Sequence, residues 1–442
     1  MTTPIYDFLK KYTQQSPTRL HMPGHKGRGP LGVCPLDLTE ITGADSLYSP
    51  TGIILESEKN ASRIYSSHTY YSTEGSSHSI RAMLYLACLY AARNGKKPKI
   101  LAGRNVHRVF VSSAALLDFE VEWLSGDCDS YLRCSITAEK IREWLSACRE
   151  LPTAVYITSP DYLGFIADIS KIAQACHEFG VLLLVDNAHG AYLKFLSKSL
   201  HPMDLGADIC CDSAHKTLGA LTGGAYLHVS YNAPSLLAEK AKDAMLLFGS
   251  TSPSYLILAS LDLLNGRLSS LSALEEKALR IKSQIAELGY TPVGQEPLKI
   301  TLMTKPYGYL GTELCAILEE KGIFAEFCDP DYAVFLISDG NTDEELDILV
   351  NALASIEKKE PLTVSPPPCS VPVRKLSVRE ALLSACETVD TRESVGRIMA
   401  DISVSCPPAV PVAVSGEVID GAVLRTFNYY GISRVNVVRE DI

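Results

Sequence analysis

The chain predicts an α/β fold built on a mostly parallel central sheet, followed by a small α+β domain and a C-terminal domain. Three observations lead there. Between about residues 65 and 228 short apolar runs alternate with amphipathic stretches, the pattern of strands covered by helices on both faces. Each apolar run opens into a loop of polar residues. With 442 residues and 46% hydrophobic composition, the chain can bury a large core and form two or three domains. The composition shifts place these domains at residues 1–265, 266–360 and 361–442.

Along the chain, Tyr71-Ser72-Thr73-Glu74-Gly75-Ser76-Ser77-His78-Ser79 leads into an amphipathic helix whose apolar spacing begins near Ile80. Residues 99–102, 154–158, 181–185 and 207–211 are apolar runs of strand length. In an open α/β sheet, ligands bind beyond the carboxyl ends of the strands, so His107, Asp161, Asp186 and Lys216 are expected to converge although distant in sequence. A helical stretch follows Tyr255 and leads to a region with strands near 298–303 and 332–338. Residues 361–372, including Pro366-Pro367-Pro368, read as a linker or extended crossing segment. Beyond it, 377–403 predicts a helix and 410–414 a short strand.

Several function classes are disfavoured. Asp and Glu outnumber Lys and Arg, 51 to 41, and the net charge of −10 leaves no basic footprint for a nucleic acid. Thirteen cysteines lack a CxxC pair, and Cys210-Cys211 are adjacent inside an apolar run, which suits reduced thiols in the cytoplasm. The first residues carry no apolar signal core, and no run reaches the roughly 18–20 apolar residues that cross a bilayer. His21 and His25 are four apart, but Pro23-Gly24 breaks the helical spacing that would aim both at one ion, so no metal is expected.

The chemistry concentrates in two segments. Val185-Asp186-Asn187-Ala188-His189-Gly190 puts an acid at the end of a strand, and Asp212-Ser213-Ala214-His215-Lys216 follows about one strand-helix-strand unit later. A carboxylate against a pyridine nitrogen keeps that nitrogen protonated, and a lysine can bond an aldehyde carbon. Together they suit an enzyme that holds pyridoxal 5'-phosphate covalently. Ser213 and His215 stand close enough in sequence to reach the phosphate, as do Gly75, Ser76 and Ser77 at a helix start, where backbone N–H groups converge on an anion. Ala188 and His189 follow the acid, and His189 is placed to orient it. His107, after a strand, can lay its ring on the cofactor and relay a proton.

These segments resemble the ornithine/lysine/arginine decarboxylase family, among the fold type I pyridoxal-phosphate enzymes. The matching runs are HMPGHKGRG from His21, DLTEITGADSLYSPTG from Asp37, AGRNVHR from Ala102, TSPDYLGFIADI from Thr158, VDNAHGAY from Val185, DSAHKTLGALTGGAYLH from Asp212 and TSPSYLILASLD from Thr251. Weaker echoes are GRI from Gly396 and CPPAVPVAVSGE from Cys406. The resemblance implies Lys216 as the cofactor lysine, Asp186 as the pyridine partner and His107 as the stacking ring. It implies Ser76, Ser77, Ser213 and His215 around the phosphate. It also implies a homodimer with shared sites, on which a higher oligomer can be built, where Thr251 and Ser252 reach the neighbouring subunit's phosphate. The chain resembles the short members, which lack a receiver-like amino-terminal domain.

Three positions depart from the family pattern. Thr-Glu-Gly-Ser-Ser-His stands where Asn-Gly-Thr is usual, bringing Glu74 near the phosphate segment; Asn187 replaces an acid, and Arg108 a lysine. The function expected is decarboxylation of a basic L-amino acid, arginine first and lysine or ornithine next, to its amine and carbon dioxide, within polyamine biosynthesis. Aminotransfer or other Cα chemistry on the same scaffold, and a low-turnover cofactor-binding regulator, are the alternatives. A basic substrate needs an anion at the far end of its pocket, for which Glu417, Asp161 and Tyr162 are the candidates.

Overall fold

The apolar runs form strands in the computed structural model, which describes residues 1–442 apart from 125–129, 134, 268–270, 403, 407–409 and 441–442. The α/β part carries β1 (Ser67–Ser72), β2 (Lys99–Gly103), β3 (Glu120–Leu124), β4 (Ala154–Thr158), β5 (Leu182–Asp186), β6 (Ile209–Asp212) and β7 (Ala225–Ser230). The four expected strands are β2, β4, β5 and β6, each within about two residues. By compactness the chain divides into two units, residues 1–96 with 169–271 and residues 97–168 with 272–442. The expected divisions at 265 and 360 follow chain order, whereas each of these units is assembled from two separate stretches.

In the first unit β1, β7, β6 and β5 lie side by side in that order. β5 and β6 run parallel, with Val185 opposite Cys210 and Asp186 opposite Cys211. β7 runs antiparallel to both β1 and β6. Every residue of Leu-Leu-Leu-Val-Asp in β5 and Ile-Cys-Cys-Asp in β6 is buried, as strands covered on both faces require. Their apolar residues therefore run continuously instead of alternating.

The helix Gly75–Arg93 begins about five residues before the apolar spacing does. Its interior, Arg-Ala-Met-Leu-Tyr-Leu-Ala-Cys-Leu, consists largely of good helix formers. Gly75 enters it at φ +72, in the left-handed region that glycine reaches without strain. The hydroxyl cluster Ser76-Ser77 thus lies in the first turn of the helix itself.

In the second unit β4, β2 and β3 are adjacent in that order, and β2 is parallel to both neighbours. Its second sheet is antiparallel, from β8 (Thr291–Val293), β9 (Lys299–Met303), β10 (Phe327–Cys328) and β11 (Tyr332–Leu336), in the order β10-β11-β9-β8. Helices Ser272–Glu287 and Asp343–Ala354 accompany it, giving the small α+β assembly expected from the sequence. Residues 361–373 contain neither helix nor strand.

The expected helix over 377–403 is corrected. Only Val378–Leu383 is helical, opened by a reciprocal capping box between Ser377 and Glu380. Cys386–Asp390 is instead a strand paired with Arg434–Val438, from Cys386 opposite Val438 to Asp390 opposite Arg434. Thr388 and Val389 favour the extended form, and a partner strand almost fifty residues away decides the outcome, a signal that local periodicity does not contain. The expected strand over 410–414 is present as Val410–Ala413. Ser403 and 407–409, parts of two expected segments, lie outside the described residues.

Candidate active site

Asp186 is the last residue of β5 and is 3% exposed. Its Oδ1 accepts the Ala188 amide at 3.2 Å and the Cys211 thiol at 3.6 Å. A carboxylate set at the end of a buried parallel strand stays in place when a ring is presented to it, because strand pairing fixes its backbone. Asp186 and Ala188 thus stand at the strand's carboxyl end, as the sequence suggested.

β6 ends at Asp212, and Ser213 turns the chain into the single-turn helix Ala214–Thr217. Lys216 projects from this turn with Nζ 3.0 Å from Nε2 of His189. The Ser213 hydroxyl donates to Ser76 Oγ at 2.8 Å, tying the lysine turn to the start of the Gly75–Arg93 helix. His215 donates from Nδ1 to the Gly224 carbonyl at 2.9 Å, and its amide donates to the same oxygen at 3.1 Å. Gly75 N donates to Gly223 O at 2.7 Å. Gly223 has φ +99, and a Cβ there would stand 2.7 Å from Thr73 O, so this close approach admits only glycine.

Hydrogen bonds therefore tie Ser76 to Ser213 and Lys216 to His189, with Gly75 and His215 held on the adjacent Gly223 and Gly224, and Asp186 stands three residues before His189 at the end of the neighbouring strand. The first turn of the Gly75–Arg93 helix has no side-chain cap from Glu74, so its amides after that of Gly75, which donates to Gly223 O, can turn to an anion, with the Ser76, Ser77 and Ser213 hydroxyls beside them. Glu74 does not enter that cradle. Its Oε1 accepts the Ser250 amide at 2.5 Å, which turns the carboxylate toward the loop before Thr251 and Ser252, both exposed. A phosphate at the helix start, a ring nitrogen at Asp186 and an aldehyde carbon at Lys216 match the three donor types present, so the residues fit pyridoxal phosphate.

His107, Arg108, Asp161, Tyr162 and Glu417 belong to the second unit. His107 caps the helix Arg108–Leu117, its Nδ1 accepting the Val109 amide at 3.2 Å, and Arg108 is exposed in the first turn. Asp161 is buried, with Oδ1 accepting the Leu163 and Phe165 amides at 2.9 and 3.0 Å. Burial pushes its carboxyl up to about 7, against the lowering effect of those amides and of Lys299. Tyr162 packs against the carboxyl-terminal core around Met399 and Phe427.

Glu417 is 1% exposed and accepts Arg104 Nη2 at 2.6 Å and the Val414 amide at 2.7 Å. Arg104 also lies over the Trp123 ring, 4.8 Å from its centroid. The guanidinium that Glu417 meets is thus one from its own chain, in place of the open carboxylate that the motif suggested.

One cluster went unnoticed in the sequence. Asp212 is fully buried, and its Oδ2 accepts Nε2–H from His201 at 2.9 Å and from His228 at 3.1 Å. Its Oδ1 accepts Asn187 Nδ2 at 2.6 Å. Burial alone would raise the Asp212 carboxyl, but the two histidines outweigh it and hold the group below the usual carboxylate range. Cys210 completes a set whose ligand atoms lie within 4.8 Å of one another. The available signal was spacing: Cys210 and Asp212 are two apart on one strand, and Cys210 pairs with His228 on the next.

Comparison with known proteins bears on this geometry. An arginine decarboxylase of Bacillus subtilis is 29% identical over 94% of this chain and 91% of its own length. Among solved structures, the constitutive lysine decarboxylase of E. coli superposes with a TM-score of 0.78 at 19% identity, over 99% of this chain and 82% of that one. Lysine decarboxylase A of Pseudomonas aeruginosa gives 0.82 at 18% identity, over 99% and 80%. At those identities the structures establish the fold, an α/β architecture with a mostly parallel central sheet. The family profile described as Orn/Lys/Arg decarboxylase, major domain, matches residues 3–285, and on that match the chain belongs to the ornithine/lysine/arginine decarboxylase family.

Proposed function

We propose that this chain decarboxylates a basic L-amino acid, arginine in preference to lysine or ornithine, giving the corresponding amine and carbon dioxide. The observation that carries the reading is the Lys216 amine 3.0 Å from His189, which follows the buried Asp186 by three residues, on the turn that Ser213 ties to Ser76. Relatives named arginine decarboxylase support taking arginine first.

Pyridoxal 5'-phosphate is the cofactor, and when bound it supplies a conjugated ring that accepts the electron pair left at Cα as the bond to the carboxylate breaks. Lys216 would hold the cofactor through its aldehyde carbon. Asp186 would keep the ring nitrogen protonated, while Ser76, Ser77, Ser213 and His215 would hold the phosphate with the helix-start amides. His189, 3.0 Å from Lys216, can take its proton, which leaves a neutral amine able to attack, and can return it, which restores an ammonium able to donate a proton.

The reading includes a cytoplasmic homodimer, in which Thr251 and Ser252 complete the phosphate site of the partner. It is supported by their exposure on one loop and by Glu74, which braces that loop at Ser250. No helix among the described residues is long and apolar enough to cross a membrane. The test is a product screen with purified, cofactor-loaded protein over the twenty amino acids. Agmatine and carbon dioxide in equal amounts from arginine are expected, with slower release from lysine or ornithine. A keto acid without carbon dioxide would replace decarboxylation by aminotransfer.

A further inference from the structure

We propose that Asp212 is a positioning residue: clamped by His201 and His228 and linked through Asn187, it holds the Asp186 strand end and the Lys216 turn in fixed relation. The proposal rests on the cofactor site described above, since it concerns how that site keeps its shape.

The argument starts from the tautomers. His201 Nδ1 accepts the Met203 amide at 3.3 Å, so in the neutral ring the proton lies on Nε2, which faces Asp212 Oδ2. His228 Nδ1 meets the Thr69 hydroxyl at 2.9 Å, a group able to donate, and its Nε2 faces a carboxylate that can only accept, so Nε2 carries the proton there too. Both rings are wholly buried, and the Tyr65 ring packs on them at centroid distances of 5.2 and 4.4 Å. An ionised carboxylate in such a place persists only with its lone pairs taken, and three N–H donors take them.

The same network argues against a metal among His201, Cys210, Asp212 and His228. Coordination through His201 Nε2 would require a proton on Nδ1, where the Met203 amide already donates. What the network does instead follows from its connections. Asp212 directly precedes Ser213, which bonds Ser76, and Asn187 directly follows Asp186. The Asn187 amide also donates to Cys211 O at 3.0 Å. The two strand ends that present an acid and an amine to one ring are thus joined by a side-chain bond behind the site.

Asn187→Ala removes this link and leaves the Asp–His clamp intact, whereas Asp212→Asn replaces the acceptor of all three donors. Both are compared with the parent for melting temperature, for the visible circular dichroism of bound pyridoxal phosphate, and for the rate of its loss to an excess of apo-protein scavenger. Asn187→Ala is expected to melt within a few degrees of the parent, with a weaker visible band and about tenfold faster cofactor loss, the worth of one hydrogen bond to a charged group. Asp212→Asn should show larger changes of the same kind; if it does not fold, Asn187→Ala decides.

A lowered melting temperature with the dichroic band and release rate unchanged in Asn187→Ala would make the cluster merely structural and overturn the proposal. So would one equivalent of bound metal per chain whose chelation unfolds the protein. If the parent takes up no pyridoxal phosphate, the functional reading has failed, and hydrogen exchange in the cofactor-free protein decides this one. Faster exchange confined to residues 186–190 and 213–217 in Asn187→Ala would support it, and unchanged exchange there would refute it.

Discussion

The Lys216 Nζ lies 3.0 Å from Nε2 of His189, a residue three places after the acid at the end of the neighbouring strand. An imidazole at hydrogen-bond distance from an amine can hold the proton that the amine must shed before it attacks a carbonyl. His189→Leu should therefore bind pyridoxal phosphate through its remaining contacts but form the covalent link slowly. Turnover should fall about 10²- to 10⁴-fold, with the larger effect in kcat than in KM. Stopped-flow growth of the visible band on adding cofactor to apo-protein measures the first step. An unchanged rate would confine His189 to packing.

Arg104 and Glu417 form a buried ion pair at 2.6 Å, so removing one charge strands the other. Glu417→Gln should destabilise the protein by about 3–5 kcal/mol, the usual cost of breaking such a pair. The double variant Arg104→Met with Glu417→Leu should recover most of that loss, since both charges go together. Denaturant unfolding of the two variants checks this. If Glu417→Gln instead leaves stability intact and raises KM for arginine alone, Glu417 contacts the substrate.

Asp161, with its carboxyl pushed up to about 7 by burial, gives a pH dependence of definite sign. Its ordinary value is 3.8, so between about pH 4 and 7 the folded protein holds a proton that the unfolded chain has released. The stability contributed by that proton is complete below pH 4 and is lost as pH rises through 7. Asp161→Asn cannot ionise and keeps an oxygen for the Leu163 and Phe165 amides. Its melting temperature relative to the parent should rise from pH 5 to pH 8. A constant difference would show that Asp161 is ionised throughout.

Much of the candidate site was legible because its parts are local. The acid at the end of a buried apolar run, the lysine after the next such run and the hydroxyls at a helix start each carry a signature within a few residues, and strand order brings Asp186 and Lys216 together. The helix start was misplaced because Gly75, Ser76 and Ser77 are not apolar and so add nothing to apolar periodicity.

Other features depend on partners far along the chain. Asp212 reads as a plain loop acid until β7 sets His228 beside it and the segment after β5 delivers His201. Glu417 looks like an available anion until Arg104, some three hundred residues earlier, takes its Oε2. The strand Cys386–Asp390 has the same origin, since its partner is the last strand of the described chain. Long-range pairing has no local periodicity to betray it.

The central claim is that Lys216 holds the cofactor, and borohydride reduction followed by peptide mapping tests it most directly. Purified protein loaded with pyridoxal 5'-phosphate should be yellow, and reduction should bleach it and fix one equivalent of cofactor to the peptide containing Lys216. A label fixed to any other lysine, or protein that remains colourless and unlabelled in excess cofactor, would contradict the account.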